Sequence, residues 1–176
     1  MAELSAQGPV IHPGATSVVD STAAIKFGTR GRDLDGNEYI YVDFQESCIA
    51  GEWVTFNSSY QAVQLTSTST GWVGVVVGTV SASDRFGWVQ VYGIHSAAWA
   101  TSNSSSGFPA IIAATTDLGT ITTDGTSANN IGIQGVIVCS SPDTCASTAL
   151  STSALAAPAT VMLNYPFISN TQISTS

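Results

Sequence analysis

Charge is what this chain lacks most. Only 9% of its 176 residues are charged, against roughly 25% in an average soluble domain. The basic residues are Lys26, Arg30, Arg32 and Arg85, and no Lys or Arg occurs from Phe86 to Ser176. A nucleic-acid-binding face needs clustered cations to displace counterions from phosphate, so nucleic acid is not expected as a partner. Attraction to an anionic membrane surface is disfavoured for the same reason. No window approaches ~18 uninterrupted apolar residues, which excludes a membrane-spanning helix. Residues Met1–Ile11 lack a basic leader followed by an apolar run, so no signal peptide is expected.

Cysteine is scarce and odd in number: Cys48, Cys139 and Cys145. With no export leader, reduced thiols in a cytosol are the plain expectation. Cys139 and Cys145 flank Ser141-Pro142-Asp143 and could close a small loop if the protein meets an oxidant.

Catalytic signatures are also missing. The chain has two histidines, His12 and His95, and no G-x-S-x-G turn to hold a nucleophilic serine. Phosphate-cradling GxxxxGK[ST] and GxGxxG sequences are absent. Cys139, Cys145 and His95 match no common zinc spacing. The stretch DLDGNE (Asp33–Glu38) shares carboxylates with a calcium loop, but Gly36 stands fourth rather than at the sixth position such a loop requires. Nothing singles out a carboxylate pair for glycoside chemistry. The expectation is a protein without catalytic residues, metal or cofactor.

What the chain does have is β-structure. Hydrophobic residues make up 44% of it, and the rest is rich in Ser, Thr and Gly. The stretch Gly71–Gly93, GWVGVVVGTVSASDRFGWVQVYG, reads as two strands joined by a polar turn. In its second half Phe86, Trp88, Gln90 and Tyr92 share one face, and Gly87, Val89 and Val91 the other. A first hairpin is expected where Asp35-Gly36 separates Ile25–Arg30 from Glu38–Phe44, with Tyr39, Tyr41 and Asp43 alternating against Ile40, Val42 and Phe44. Further strands are expected within Gly51–Tyr60, Gln61–Leu65, Ala110–Thr116, Thr120–Thr123, Ile131–Cys139 and Thr160–Tyr165, the last stopped by Pro166, and Ile94–Ala100 reads as a strand continuation or a short turn of helix. Gly132 and Gly135 suggest a bulge or a close neighbouring backbone. Residues Thr101–Gly107 and Ala146–Pro158 read as Ser/Thr-rich excursions.

The fold class is therefore all-β, a small antiparallel β-barrel or β-sandwich with an extended N-terminal arm. The arm covers residues 1–22 and a single β-domain covers 23–176. Low charge implies that much of the surface is covered by other protein, although Ser and Thr also keep a surface wet. The six carboxylates between Asp33 and Glu52 form either a solvated acidic face or a docking patch for a basic partner.

The series FGTRGRDLDGNEYIYVDF, the Trp53 strand, GWVGVVVGTVSASDRFGWVQVYG and VMLNYPF resembles a family of small structural proteins of tailed bacteriophages, the head decoration or cement proteins. The resemblance spans roughly Phe27 to Phe167. It implies a virion protein made in the bacterial host cytoplasm, sited on the outer capsid surface and bridging major capsid protein subunits. It implies no enzymatic activity. Under that reading the arm, through Leu4, Val10, Ile11, Val18 and Val19, lies on the capsid or on an adjacent copy. Trp72, Phe86, Trp88 and Tyr92 supply a core and oligomer hairpin, and self-association as a homotrimer, with a homodimer second, is expected. Two other classes remain: a carbohydrate- or host-surface-binding β-module of a fibre or head appendage, with Trp99 or Trp53 stacking on sugar, and a serine hydrolase.

Overall fold

The alternation in Glu38–Phe44 has a direct structural consequence. Ile40, Val42 and Phe44 point into one buried cluster and Tyr39 and Tyr41 into another, so this strand has no wet face. The same doubling recurs across the chain. A computed structural model describes residues 16–81, 85–100, 109–112, 119–122, 131–139 and 157–172. Every regular element among them is a strand: β1 Arg30–Arg32, β2 Glu38–Phe44, β3 Trp53–Phe56, β4 Gln61–Gln64, β5 Gly71–Val76, β6 Phe86–Ala100, β7 Pro109–Ile112, β8 Ile121–Thr122, β9 Ile131–Cys139 and β10 Ala157–Gln172.

All ten belong to one mixed, mostly antiparallel sheet whose pairings close on themselves. A first ring runs β2–β4–β3–β5–β6 and back to β2. A second runs from the later part of β6 through β8, β7, β9 and β10 and back to β6. The connectivity of the two rings is identical. In each, the first strand in sequence pairs parallel with the third, the third antiparallel with the second, the second with the fourth, the fourth with the fifth, and the fifth with the first. The parallel contacts, β2–β4 and the single pair Ala100–Ile121, depart from the all-antiparallel expectation. Closing the rings leaves few free sheet edges.

Two cores follow from this topology. Ile40, Val42, Phe44, Val54, Phe56, Ala62, Val76, Val89 and Val91 fill the first ring. Ala98, Ala110, Ile121, Ile133, Val138, Val161 and Leu163 fill the second, together with Trp53, Val73 and Val75 from β3 and β5. Strand β3 is thus buried on both faces, Val54 and Phe56 toward one core and Trp53 toward the other. A smaller aromatic cluster, Tyr39, Tyr41 and Trp88, sits outside the first ring under Phe27 and Phe86.

Strand β6 serves both rings, and Gly93 marks the crossing. Its φ is +93°, in the left-handed region. The buried Gln90 amide donates to the carbonyls of Tyr92 and Ile94 at 3.1 Å each, clamping the backbone on either side of the kink. From the first hairpin turn Asn37 Oδ1 accepts the Ile94 N–H at 3.0 Å, which ties that turn to the crossing.

Several expectations need correction. Pro166 does not end the last strand, which continues to Gln172. It sits where the register slips between Leu163 and Phe167, opposite the positive-φ Gly135, and a proline is tolerated at a bulge because no ladder bond is asked of it. Cys139 is disulfide-bonded rather than a reduced thiol. Cys48 is free, buried in the first core, and its thiol is pushed up to about 12 by burial and the nearby Glu52 and Glu46 carboxylates. Cys145, the Thr101–Gly107 loop and all but the last two residues of the Ala146–Pro158 excursion lie outside the described residues. The described end of the proposed arm lies against its own chain: Thr16 is buried, Asp20 forms an antiparallel bridge with Phe86, and Val19 packs on the first core.

Candidate binding surfaces

The acidic loop at the first hairpin is the best-built polar site in the sequence, and it is a turn. Asp33 Oδ1 accepts the N–H groups of Asp35 (3.0 Å) and Asn37 (2.9 Å). Its Oδ2 accepts the Asn37 side-chain amide (2.9 Å) and the Tyr39 hydroxyl (2.7 Å). Burial pushes the Asp33 carboxyl up, but the bonds from Tyr39, Asn37 and Asp35 outweigh it and hold it below its ordinary value. Its contribution to stability is therefore present above the unfolded-state pKa and is lost as pH falls through the lowered folded value. Asp33→Ala should cost about 1–3 kcal/mol at neutral pH, because several donors lose their acceptor. The gap to wild type should close as pH falls below ~4 in urea unfolding curves, since only the ionised carboxylate makes these bonds. A gap that did not change with pH would overturn this account of the turn. Among the described residues no three His, Cys, Asp or Glu side chains converge.

One mouth of the first ring holds a cavity of about 250 Å³. Its floor includes Ile40, Phe56 and Val91, and its rim includes Arg30, Tyr60, Trp72 and Tyr165. Tyr60 (φ 61°) and Tyr165 (φ 48°) are the non-glycine positive-φ residues of the described chain. Tyr60 occupies the left-handed position at the end of the Asn57 turn, whose Oδ1 accepts the N–H groups of Ser59 and Gln61. The Tyr165 hydroxyl donates to Glu38 Oε2 at 2.7 Å, which raises its pKa, and the Arg30 guanidinium lies 5.6 Å from its ring centroid. Both tyrosines cap the end of the first core, so packing already explains the positions of their rings.

The outer face of the second ring is of a different kind. Met162 pairs directly with Ile94 on one side and Ile137 on the other, and directly paired antiparallel residues point the same way. The three side chains form an outward row across β6, β10 and β9, at 44%, 40% and 36% exposure for Ile94, Met162 and Ile137. Beside the row a hollow of about 350 Å³ is lined by Gly135, Ile137, Met162 and Asn164 among others. No described residue from Gly93 onward is Asp, Glu, Lys or Arg; Asp117, Asp124 and Asp143 lie outside the described residues.

The sequence-derived site residues fall into separate places. Trp72 is half-exposed and packs edge-on against Phe167 at 5.4 Å between ring centroids. Phe86 and Trp88 instead join the aromatic cluster under Phe27, and Tyr92 is partly exposed beside Tyr165. Val18 is exposed while Val19 is engaged in its own chain; Leu4, Val10 and Ile11 lie outside the described residues. Trp53 is fully buried and donates its indole N–H to the Trp99 carbonyl at 3.0 Å, so it cannot stack on a ligand. Trp99 is partly buried, with its indole N–H bonded to the Ala50 carbonyl. His95 accepts the Ala97 N–H on Nδ1, and burial lowers its pKa to about 4.

Sequence reasoning missed Ile94, Ile137 and Met162. Ile137 and Met162 lie in continuous apolar runs, where no alternation separates the outward side from the inward one, and Ile94 stands between Gly93 and His95 in a stretch the sequence leaves open between strand and helix. Comparison with protein-family models, curated proteins and solved structures returns no match to this chain.

Proposed function

We propose that this chain is a structural protein of a tailed-bacteriophage head, which binds the outer surface of the capsid and stabilises it by bridging major capsid protein subunits. What supports the reading is a chain with few charges whose second ring has no described charge and carries exposed apolar side chains, a surface suited to cover by other protein, a second copy of the chain included. On this reading the protein is made in the host cytoplasm, resides on the virion, associates with itself, and acts through contact area rather than catalysis or a cofactor.

The test is cosedimentation with capsids of the source virus that lack this protein. Binding at a fixed ratio to the capsid subunit, with a raised capsid melting temperature, is the expected result. Failure to bind either procapsids or expanded heads would end the proposal. A chain lacking residues 2–15 should keep its own melting temperature and lose capsid binding; retained binding would remove the arm from the mechanism. The deletion stops there because Thr16, Val19 and Asp20 belong to the folded body.

One observation favours a second reading, a sugar-binding β-module. Trp72, rather than Trp53 or Trp99, is the tryptophan available for stacking, at the rim of the mouth cavity that Arg30 also lines. A glycan array without hits would remove it.

A further inference from the structure

We propose that the Ile94–Met162–Ile137 row is a two-fold contact between two copies of this chain, with the axis passing close to Met162. The contact forms in solution and does not depend on the capsid reading.

The first argument is charge. Each copy carries a net charge of −8, so two copies repel unless they meet away from their carboxylates. Asp20, Asp33, Asp35, Glu38, Asp43, Glu46 and Glu52 all belong to the first ring and its approaches. The β6–β10–β9 face carries none of them itself; Glu38 comes nearest, paired with Tyr92 at its edge, where the Tyr165 hydroxyl donates to its carboxylate.

The second argument is symmetry. A contact about a two-fold axis must be self-complementary, each residue meeting the partner of its own counterpart. The row reads isoleucine, methionine, isoleucine on adjacent strands about 4.8 Å apart. A half-turn about its centre lays Ile94 of one copy over Ile137 of the other, and the reverse, with like meeting like in size and chemistry. The hollow beside Ile137 and Met162 is where the incoming Ile94 seats, once on each side of the axis. Methionine at the axis suits a position that must pack against itself, because its unbranched thioether adapts its rotamer to its own copy. The next residues on this face, Tyr92, Asn164 and Ser96, are uncharged and form the rim. The geometry selects the homodimer over the homotrimer expected from sequence.

The experiment is sedimentation equilibrium on the full chain over a micromolar concentration series. A mass of twice 18.1 kDa is expected for the native protein. Met162→Lys should weaken association at least about tenfold by placing a cation at a desolvated centre, with an unchanged circular dichroism spectrum. Ile94→Lys serves as a second variant should the first misfold. In parallel, Met162→Cys should form a covalent dimer under mild oxidation that the native chain does not form, since only an axis near this position brings a residue against itself. A monomeric native protein, a trimeric mass, or a dimer indifferent to both lysine variants would each overturn the proposal. So would a Met162→Cys chain that stays uncrosslinked as a dimer. Loss of capsid binding in a dimer-competent chain would bear on the capsid reading alone.

Discussion

Trp53→Ala is expected to remove about 3–5 kcal/mol of unfolding free energy, the range for deleting a fully buried aromatic side chain. At this chain length that corresponds to a fall in melting temperature of roughly 6–20 °C. Trp53 has no exposed surface and fills the second core from a strand belonging to the first ring. Its indole N–H donates to the Trp99 carbonyl, and its backbone N–H donates to the Gly119 carbonyl at 2.9 Å. Truncation would therefore open a cavity at the seam between rings and take the indole donor from the Trp99 carbonyl, and neither loss can be relaxed by moving one strand alone. Trp72→Ala is the control: its half-exposed ring should yield a much smaller change. Urea unfolding followed by circular dichroism decides the matter, and equal losses from the two substitutions would refute the placement of Trp53.

Gly93→Ala is the second large effect, about 2–4 kcal/mol from two sources that act together. A side chain at φ +93° is strained whatever the surrounding space. Here the space is also filled: an added Cβ would run into the Asn37 side-chain oxygen and backbone. Relief requires Asn37 to move, which breaks its bond from the Ile94 N–H and frees the first hairpin turn from the ring crossing. The double variant Gly93→Ala with Asn37→Ala separates the two sources. It should recover the steric part and leave the conformational part, giving a coupling of about 1 kcal/mol or more in a double-mutant cycle. Strict additivity would show that Asn37 and Gly93 do not touch.

Much of the local structure is legible in the sequence. The alternation in Glu38–Phe44 placed Ile40, Val42 and Phe44 on one face, and they share a core. Asp35-Gly36 announced a turn, and Gly36 has the positive φ that the turn requires. The run Phe86–Tyr92 divided into Phe86 and Trp88 against Val89 and Val91, as found. Gly135 marked a bulge. Pro166 misled because a proline is an end signal only where the ladder needs its missing N–H, and that need depends on the neighbouring strand.

The candidate surfaces were much less legible. Sequence named four tryptophans without saying which is buried: Trp53 has no exposed surface and Trp72 is half-exposed, yet each sits in a β-branched, glycine-flanked strand. Nor could it place Val19 against its own chain's core rather than on a neighbour.

By itself, then, the sequence determined the all-β class, most strand positions, the turn chemistry at Asp33–Asn37, and a second half without a basic side chain. These are local properties, set by side-chain alternation, backbone preference and composition within a few residues. The tertiary structure alone decided that the strands close into two rings of the same connectivity, that β3 is buried on both faces, and that Ile94, Met162 and Ile137 line up outward. Period-two alternation tells which side chains share a face but not what covers that face. Covering is decided by strands dozens of residues away, so the pairing had to be seen before the exposed row could be.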